Sequence, residues 1–434
     1  MKQQISALVV EVLADVFPVI ALRGVDEFAR EGGDLDFMVP PGKAVIACSI
    51  VANAAYQKGW FLACFRDIDY LAQIILIHPA RDGKDYAIKI DFFDGLRWYG
   101  IGRDISGIKL FESLFPQSHG ELRLAGAAGF FQKVLIVGQL SERDWARVEA
   151  TGADPFYLAR IAQILGLPIT RGQIERRGVK GLDKWRLRAA SGGVHSLFSG
   201  LLWFLSATIA HLRFKLENGA GMGLVIGISG LDGSGKSTLV DRLSAVYVKA
   251  GVERPSLVHL LPSWIPMPHQ LIGRQKSIKN YTHPYAEPPV SSRLNGLLRL
   301  CYYLCAFAVA RISFWFKVKR GRLIFMDRGF LDFVSDMTRA RIPNFRLPKC
   351  LKRILTPHGR LFYLDASPEV VVARKGELTL EKAGALRARY LETCDIVGAK
   401  LLDGDNTSDA VFSELLGHLS REYMQRAAVL EARE

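Results

Sequence analysis

Residues 227–240 read GISGLDGSGKSTLV, and the spacing G-x-x-x-x-G-K-S runs from Gly230 to Ser237. The apolar run LVIGIS enters this stretch, and STLVDRLSAVYVKAG, with helical spacing of its apolar residues, leaves it. A strand, a glycine turn and a helix in that order make a cradle for phosphate. Gly230, Gly233 and Gly235 let the backbone turn its N–H groups inward toward phosphate oxygens. Lys236 supplies a positive charge for the β- and γ-phosphates of a nucleoside triphosphate. Ser237 offers a hydroxyl oxygen to Mg²⁺, and the helix N-terminus adds its dipole. The candidate nucleotide-binding set is Gly230, Asp232, Gly233, Ser234, Gly235, Lys236, Ser237 and Thr238. ATP and Mg²⁺ are the cofactors it implies.

From Leu224 onward strands and helices alternate. LVIGIS, SLVHLL, RLIFMD, RLFYLD and DIVGAKLLD read as strands, which predicts a parallel sheet covered by helices. RLIFMDRGF places Asp327 and Arg328 at the carboxyl end of a strand, the edge where open α/β sheets bind ligands. A carboxylate there can hold Mg²⁺ or orient an acceptor hydroxyl, and an arginine can clamp a phosphate. Farther on, the segment after LFYLDASPEV is dense in Arg374, Lys375, Arg387 and Arg389. Mobile positive charge that closes over a phosphoryl group in transfer is one reading of it, and a solvated basic helix is the other.

LDGSGKST, MDRGF, FYLDASPEVVVARKGE, LRARY and LLDGDNTSDAVFSELLGHL follow one another in that order. In this order residues 222–425 resemble thymidylate kinase and its relatives among P-loop nucleotide kinases. The resemblance implies Lys236, Asp327, Arg328 and Arg374 as catalytic residues and Ser237 as a metal ligand. It puts Asp232 in the place of the family's loop acid near the acceptor. HLLPSWIPMPHQ stands where that family carries an R-E-P-G-G-like stretch shaping the acceptor pocket. Arg311 and Arg299 lie nearer to and farther from the Asp-Arg pair than the family's acceptor arginine. ARKGE and LRARY are also similar to divergent thymidylate-kinase-like proteins of bacterial surface-polysaccharide clusters. A nucleoside monophosphate or a sugar phosphate is therefore the expected acceptor, and thymidylate is not.

The first part of the chain mixes helix and strand. QQISALVVEVLADVF and KAVIACSIVANAAYQKGW have helical periodicity, the second closed by Gly59. YLAQIILIHP and DYAIKIDFFDG read as strands around the turn ARDGKD. In GGDLDFMVP, Asp34 and Asp36 alternate onto one face of a strand. Asp91, in AIKIDFFDG, can join them from a neighbouring strand. Three such carboxylates would hold Mg²⁺; plain turn acids are the alternative. With LRG ten residues upstream, this pattern resembles the DNA polymerase beta-like nucleotidyltransferase superfamily, although Val25 follows Gly24 where that pattern has glycine or serine.

The expected architecture is α/β. A nucleotidyltransferase-like α+β domain covers 1–118, a helical connector 119–215, and a thymidylate kinase-like P-loop domain 216–434. A chain of 434 residues supports two or three domains. Its 49% apolar and 23% charged residues exclude a disordered chain. A net charge of +14 favours anionic partners: ATP and a phosphorylated small molecule, with nucleic acid not expected. Six cysteines form no disulfide framework, and Cys301 and Cys305 read as core residues. The N-terminus does not read as a signal peptide, and a reducing cytoplasm is expected. LFSGLLWFLSATIAHL and LLRLCYYLCAFAVARISFWF read as buried helices. Peripheral membrane association, anchored by the basic flanks RFK and KVKR, is the second reading. A homodimer is the expected assembly. The expected activity is ATP- and Mg²⁺-dependent phosphoryl transfer to a phosphate-bearing acceptor. The alternatives are a nucleotidyltransferase whose P-loop part supplies or senses nucleotide, and a non-enzymatic nucleotide-binding scaffold.

Overall fold

The computed structural model describes residues 1–22, 34–68, 71–80, 84–96, 107–118, 121–179, 223–252, 254–266, 292–319, 322–340, 342–343, 347–356 and 359–431. The expectations at Gly24 and Val25 and the apolar run 197–212 lie outside the described residues.

The N-terminal part opens with helix α1 (Lys2–Ala14), which buries Ile5, Leu8, Val9 and Leu13, one stripe at helical spacing. Strands β1 (Ile20–Ala21) and β2 (Leu35–Val39) follow, then helix α2 (Ala44–Gln57). Gly59 ends that helix at φ +80°, in the left-handed region where a side chain is disfavoured. Strands β3 (Phe61–Ile68), β4 (Leu71–His78) and β5 (Tyr86–Asp94) complete a sheet of order β1-β2-β5-β4-β3. Its one parallel pair is β2 with β5, which sets Asp36 opposite Asp91.

Residues 121–179 are helical, as expected: α3 (Leu122–Ile136), α4 (Glu142–Ala150), α5 (Pro155–Ile164) and α6 (Arg171–Glu175). They surround a cluster that includes Phe130, Phe131 and Trp145 and also takes Ile20 and Met38 from the N-terminal sheet. Ser141 and Asp144 form a reciprocal cap at the start of α4.

The C-terminal part begins with strand β6 (Leu224–Gly230) and helix α7 (Lys236–Lys249). Then come β7 (Ser256–His259), α8 (Arg293–Lys319), β8 (Leu323–Asp327) and α9 (Phe330–Ser335). A 3₁₀ turn at Met337–Ala340 leads to α10 (Lys349–Leu355) and β9 (Arg360–Asp365). Helices α11 (Pro368–Lys375) and α12 (Leu380–Val397), strand β10 (Lys400–Asp403) and helix α13 (Ser408–Glu431) end the chain. The sheet has order β10-β9-β6-β8-β7 and every pair in it is parallel. The chain leaves central β6 first toward β7 and β8 and later toward β9 and β10. The carboxyl end of β6 is thus a topological switch point, where such sheets open a crevice.

Two strand expectations shorten. In DIVGAKLLD the first three residues finish α12, Gly398 closes it at φ +73°, and only Lys400–Asp403 pair. In SLVHLL the strand stops at His259, because Leu260 turns to φ +61°. Helix α8 also departs from expectation. It buries Leu300, Tyr303, Phe307, Ala310 and Phe314, but Cys301 and Cys305 are exposed on its other side rather than packed in the core.

The two sheets share an interior. One hydrophobic cluster takes Val9, Val51 and Phe92 from the N-terminal part and Leu243, Tyr247, Phe325 and Phe412 from the C-terminal part. Tyr247 of α7 donates its hydroxyl to the Ala63 carbonyl of β3 at 2.5 Å. The Leu62 amide donates to Ser420 Oγ of α13 at 3.0 Å. Arg242 of α7 makes a fork to both oxygens of Asp85, at 2.8 and 2.7 Å, bonds Asp409 at 2.7 Å and lies over the Phe412 ring.

Candidate functional site

The loop between β6 and α7 has the backbone that its glycines predict. Gly233 and Gly235 sit at φ +95° and +99°. Space matters as much as dihedral angle. A Cβ on Gly230 would lie 2.6 Å from Ser234 Oγ, and one on Gly233 would lie 3.1 Å from the Val371 carbonyl of α11. The loop is therefore pressed between its own turn and the helix that bears Arg374. Arg374 Nη1 reaches the Ser234 carbonyl at 3.4 Å.

At the mouth of the loop, Ser237 Oγ donates to Asp327 Oδ2 at 3.1 Å. These residues are brought together because β6 and β8 are parallel neighbours, with Asp327 level with Ile228 near the end of β6. Asp327 Oδ1 is buried and has no hydrogen-bond partner among the described residues. His259, opposite Asp327 on β7, approaches Oδ2 at 3.8 Å. Burial pushes the Asp327 carboxyl up, but His259, Lys236 and Ser237 together hold it below its ordinary value. An ionised carboxylate with one orphaned oxygen beside a hydroxyl is a donor set that fits Mg²⁺, which prefers oxygen ligands.

Lys236 is buried, and its ammonium bonds the Leu231 carbonyl at 3.3 Å and Asp232 Oδ1 at 3.2 Å. Burial lowers its pKa, against the charges of Asp332 and Asp327. Asp232 is the hub of this charged cluster. Its carboxylate also takes Arg328 on Oδ1 and Arg339 on Oδ2, the latter at 2.5 Å. Arg328 adopts φ +69°, a region that costs a non-glycine residue about 1 kcal/mol. Asp332 secures the same turn by accepting from Ser229 Oγ at 2.6 Å, the Gly329 amide at 2.9 Å and the Tyr390 hydroxyl at 3.0 Å. Arg339 was not anticipated from sequence, and nothing in the pattern around it signals the role. His259 and Asp332 were also missed; both stand beside residues that were singled out.

The basic segment after β9 is only partly available. Arg387 makes a fork to Asp365 at 2.6 and 2.9 Å, which ties α12 to the end of β9. Its expected part in a mobile lid is therefore corrected: it is a structural clamp. Lys375 pairs with Glu377 at 3.1 Å. Arg374 and Arg389 are exposed.

The second cluster is on the N-terminal sheet. One oxygen each from Asp34, Asp36 and Asp91 lie within 4.8 Å of one another. Their convergence follows from the parallel β2–β5 pair and the two-residue period of a strand. Lys89, two residues before Asp91 and so on the same face, bonds Asp34 and approaches Asp91 Oδ2 at 3.7 Å. Gln73 donates to Asp91 Oδ1 at 2.7 Å. Burial, reinforced by the charges of Asp36 and Asp34, pushes the Asp91 carboxyl up to about 7 against the pull of Lys89. The donors are oxygens of the right kind for a divalent cation, with Lys89 already neutralising part of their charge. A Cβ at Gly251, just past α7, would lie 3.9 Å from Asp34 Oδ1. The two clusters thus stand at opposite ends of α7, a helix of 14 residues and about 21 Å.

No protein-family model matches this chain, and no curated protein matches it.

Proposed function

We propose that the chain transfers the γ-phosphoryl group of ATP to a phosphate-bearing small molecule in a Mg²⁺-dependent reaction. The observation that carries this reading is the Ser237–Asp327 pair at 3.1 Å, with Asp327 Oδ1 orphaned at the mouth of a glycine loop. When bound, Mg²⁺ would neutralise charge on the β- and γ-phosphates. Ser237 and Asp327 are the residues that would hold it. The loop amides and Lys236 would hold the phosphates, and the buried ammonium's attraction for them would be strengthened by its exclusion from water. Asp232 keeps the Arg328 and Arg339 guanidinium groups fixed across the pocket, where their forks match an acceptor's phosphate. Arg374, on the outer side of the loop, supplies further charge for the group in transfer. The acceptor class is a nucleoside monophosphate or a sugar phosphate.

The test is label transfer. The full chain is mixed with γ-labelled ATP, Mg²⁺ and a panel of nucleoside monophosphates and sugar phosphates. Label on one class of acceptor is expected. Label released only as inorganic phosphate across the panel would overturn the reading.

A second activity has its own support. The convergence of Asp34, Asp36 and Asp91 within 4.8 Å fits a cation-dependent nucleotidyl transfer at the N-terminal sheet. Its sign would be pyrophosphate release that survives Lys236→Ala and disappears in Asp34→Asn/Asp36→Asn.

A further inference from the structure

Helix α8 presents an apolar strip to its surroundings along nearly its whole length. Leu294, Leu297, Leu298, Val309, Ile312 and Phe316 are 47–66% exposed, and Cys301 and Cys305 fill the middle of the row. From 294 to 316 the strip is about 33 Å long at 1.5 Å per residue. The opposite face is the buried one, with Leu300, Tyr303, Phe307, Ala310 and Phe314. A helix on the surface of a soluble domain normally carries charge opposite its buried face. Here that place is apolar, and contiguous exposed apolar surface of this size marks an interaction site.

The charges indicate what covers it. The 27 residues of α8 include Arg293, Arg299, Arg311, Lys317 and Lys319 and no acidic residue. At 100° per residue, Arg293 and Arg311 run along one flank of the strip and Arg299 and Lys317 along the other. A second copy of the chain suits this poorly. The strip is centred on residue 305. Antiparallel pairing about that point brings like flanks together: Arg293 and Arg311 of both copies line one edge of the contact, and Arg299 and Lys317 of both copies line the other. Cation then meets cation, with no acid on the helix to balance it. An acidic bilayer surface meets both requirements: anionic headgroups for the two basic flanks and the acyl boundary for the strip.

We infer that α8 is a peripheral membrane-docking surface for anionic phospholipid. It is independent of the phosphoryl-transfer reading. It lies on the strand-covering helix, away from the loop, and holds whether or not the loop is catalytic.

The experiment is co-sedimentation of the full chain with large unilamellar vesicles. One set is phosphatidylcholine, the other an equimolar mixture of phosphatidylcholine and phosphatidylglycerol. Sedimentation with the acidic vesicles, weakened by salt and small with the neutral ones, is expected. Leu298→Asp/Ile312→Asp should abolish it while thermal unfolding stays near that of the parent, since the two residues are 60% and 59% exposed. If that variant fails to fold, Leu298→Ser/Ile312→Thr replaces it and should reduce binding severalfold. Failure to sediment with acidic vesicles overturns the inference, as does equal binding to both sets. So does light scattering that finds a dimer which Leu298→Asp/Ile312→Asp converts to a monomer, because the face is then a self-interface.

Discussion

Arg242 and Asp85, 157 positions apart in the chain, form a two-pronged ion pair that joins the helix behind the glycine loop to the N-terminal sheet. The Asp85 side chain is 1% exposed and that of Arg242 12%. Removing one member leaves a buried charge unmatched, which costs about 3 kcal/mol or more. Arg242→Met should therefore lower stability by that amount, and chemical denaturation monitored by circular dichroism measures it. A loss below about 0.5 kcal/mol, the scale of an exposed pair, would show that the clamp is dispensable.

The same pair gives a pH dependence. Burial would raise the Asp85 carboxyl, but hydrogen bonds from Arg242 and the Ala80 amide, with the charges of Arg242 and Lys249, hold it below its ordinary 3.8. A depressed carboxyl stabilises the fold at pH above its unfolded value and loses that contribution as pH falls through the folded one. The stability gap between wild type and Arg242→Met should be constant near neutrality and shrink as pH drops below 3.8. Unfolding titrations across the acid range check it; a gap that does not change with pH contradicts it.

Lys236→Ala should reduce phosphoryl-transfer turnover by roughly 10²-fold or more, the scale of losing one preorganised charge donor. ATP affinity should fall less, because the loop amides are untouched. Steady-state kinetics beside equilibrium ATP binding separates the two. Undiminished turnover in the variant would falsify the kinase reading.

Asp327→Asn keeps the shape of the side chain and removes the charge that the orphaned oxygen carries. The Mg²⁺ concentration for half-maximal activity should rise by roughly 10-fold or more, the scale reached even when groups that only support metal ligands are lost. A magnesium titration at saturating ATP reads this out. An unchanged midpoint would remove Asp327 from the cation site.

At the N-terminal cluster, Mg²⁺ or Mn²⁺ with a nucleoside triphosphate should raise the melting temperature of full-length Lys236→Ala, since a ligand bound only by the folded state stabilises it. Asp34→Asn/Asp36→Asn in that background should reduce the shift, leaving only the part due to nucleotide held by the loop amides. The sign with pH follows from Asp91. Folded, its carboxyl holds a proton up to about 7, whereas its ordinary value is 3.8. In the cation-free protein this group's stabilising contribution declines as pH rises from 3.8 toward 7. The cation competes with that proton, so its effect should be larger above pH 7 than below. Differential scanning fluorimetry at several pH values decides; a cation shift that shrinks with rising pH opposes the site.

The glycine loop between β6 and α7 was legible in the sequence because its constraints are local. Gly233 needs a positive φ and room beside Val371, and both needs are written in one residue type. Asp34, Asp36 and Asp91 were legible through strand alternation, and Lys89 could have been found by the same two-residue period. Strand β3 went unread. FLACFRDI buries Leu62, Ala63, Cys64 and Phe65 in succession, so no alternation marks it. Arg339 was invisible because it meets Asp232 from 107 residues away, out of a 3₁₀ turn with no pattern of its own. Arg242 and Asp85 likewise became partners only once two sheets came to share an interior.

That shared interior bears on how the protein is made. The Leu62 amide waits for Ser420, 358 residues downstream. Ribosomes add about 5–20 residues per second, so this face of β3 emerges on the order of half a minute before the helix that covers it. Until then the side of β3 that this helix covers is left open, and exposed apolar strand of this kind is what holding chaperones bind. A message truncated before residue 408 would yield neither a loose N-terminal module nor a stable remnant, but a substrate for proteolysis. The two clusters at the ends of α7 would then reach the cell in strict one-to-one ratio, whatever the level of expression.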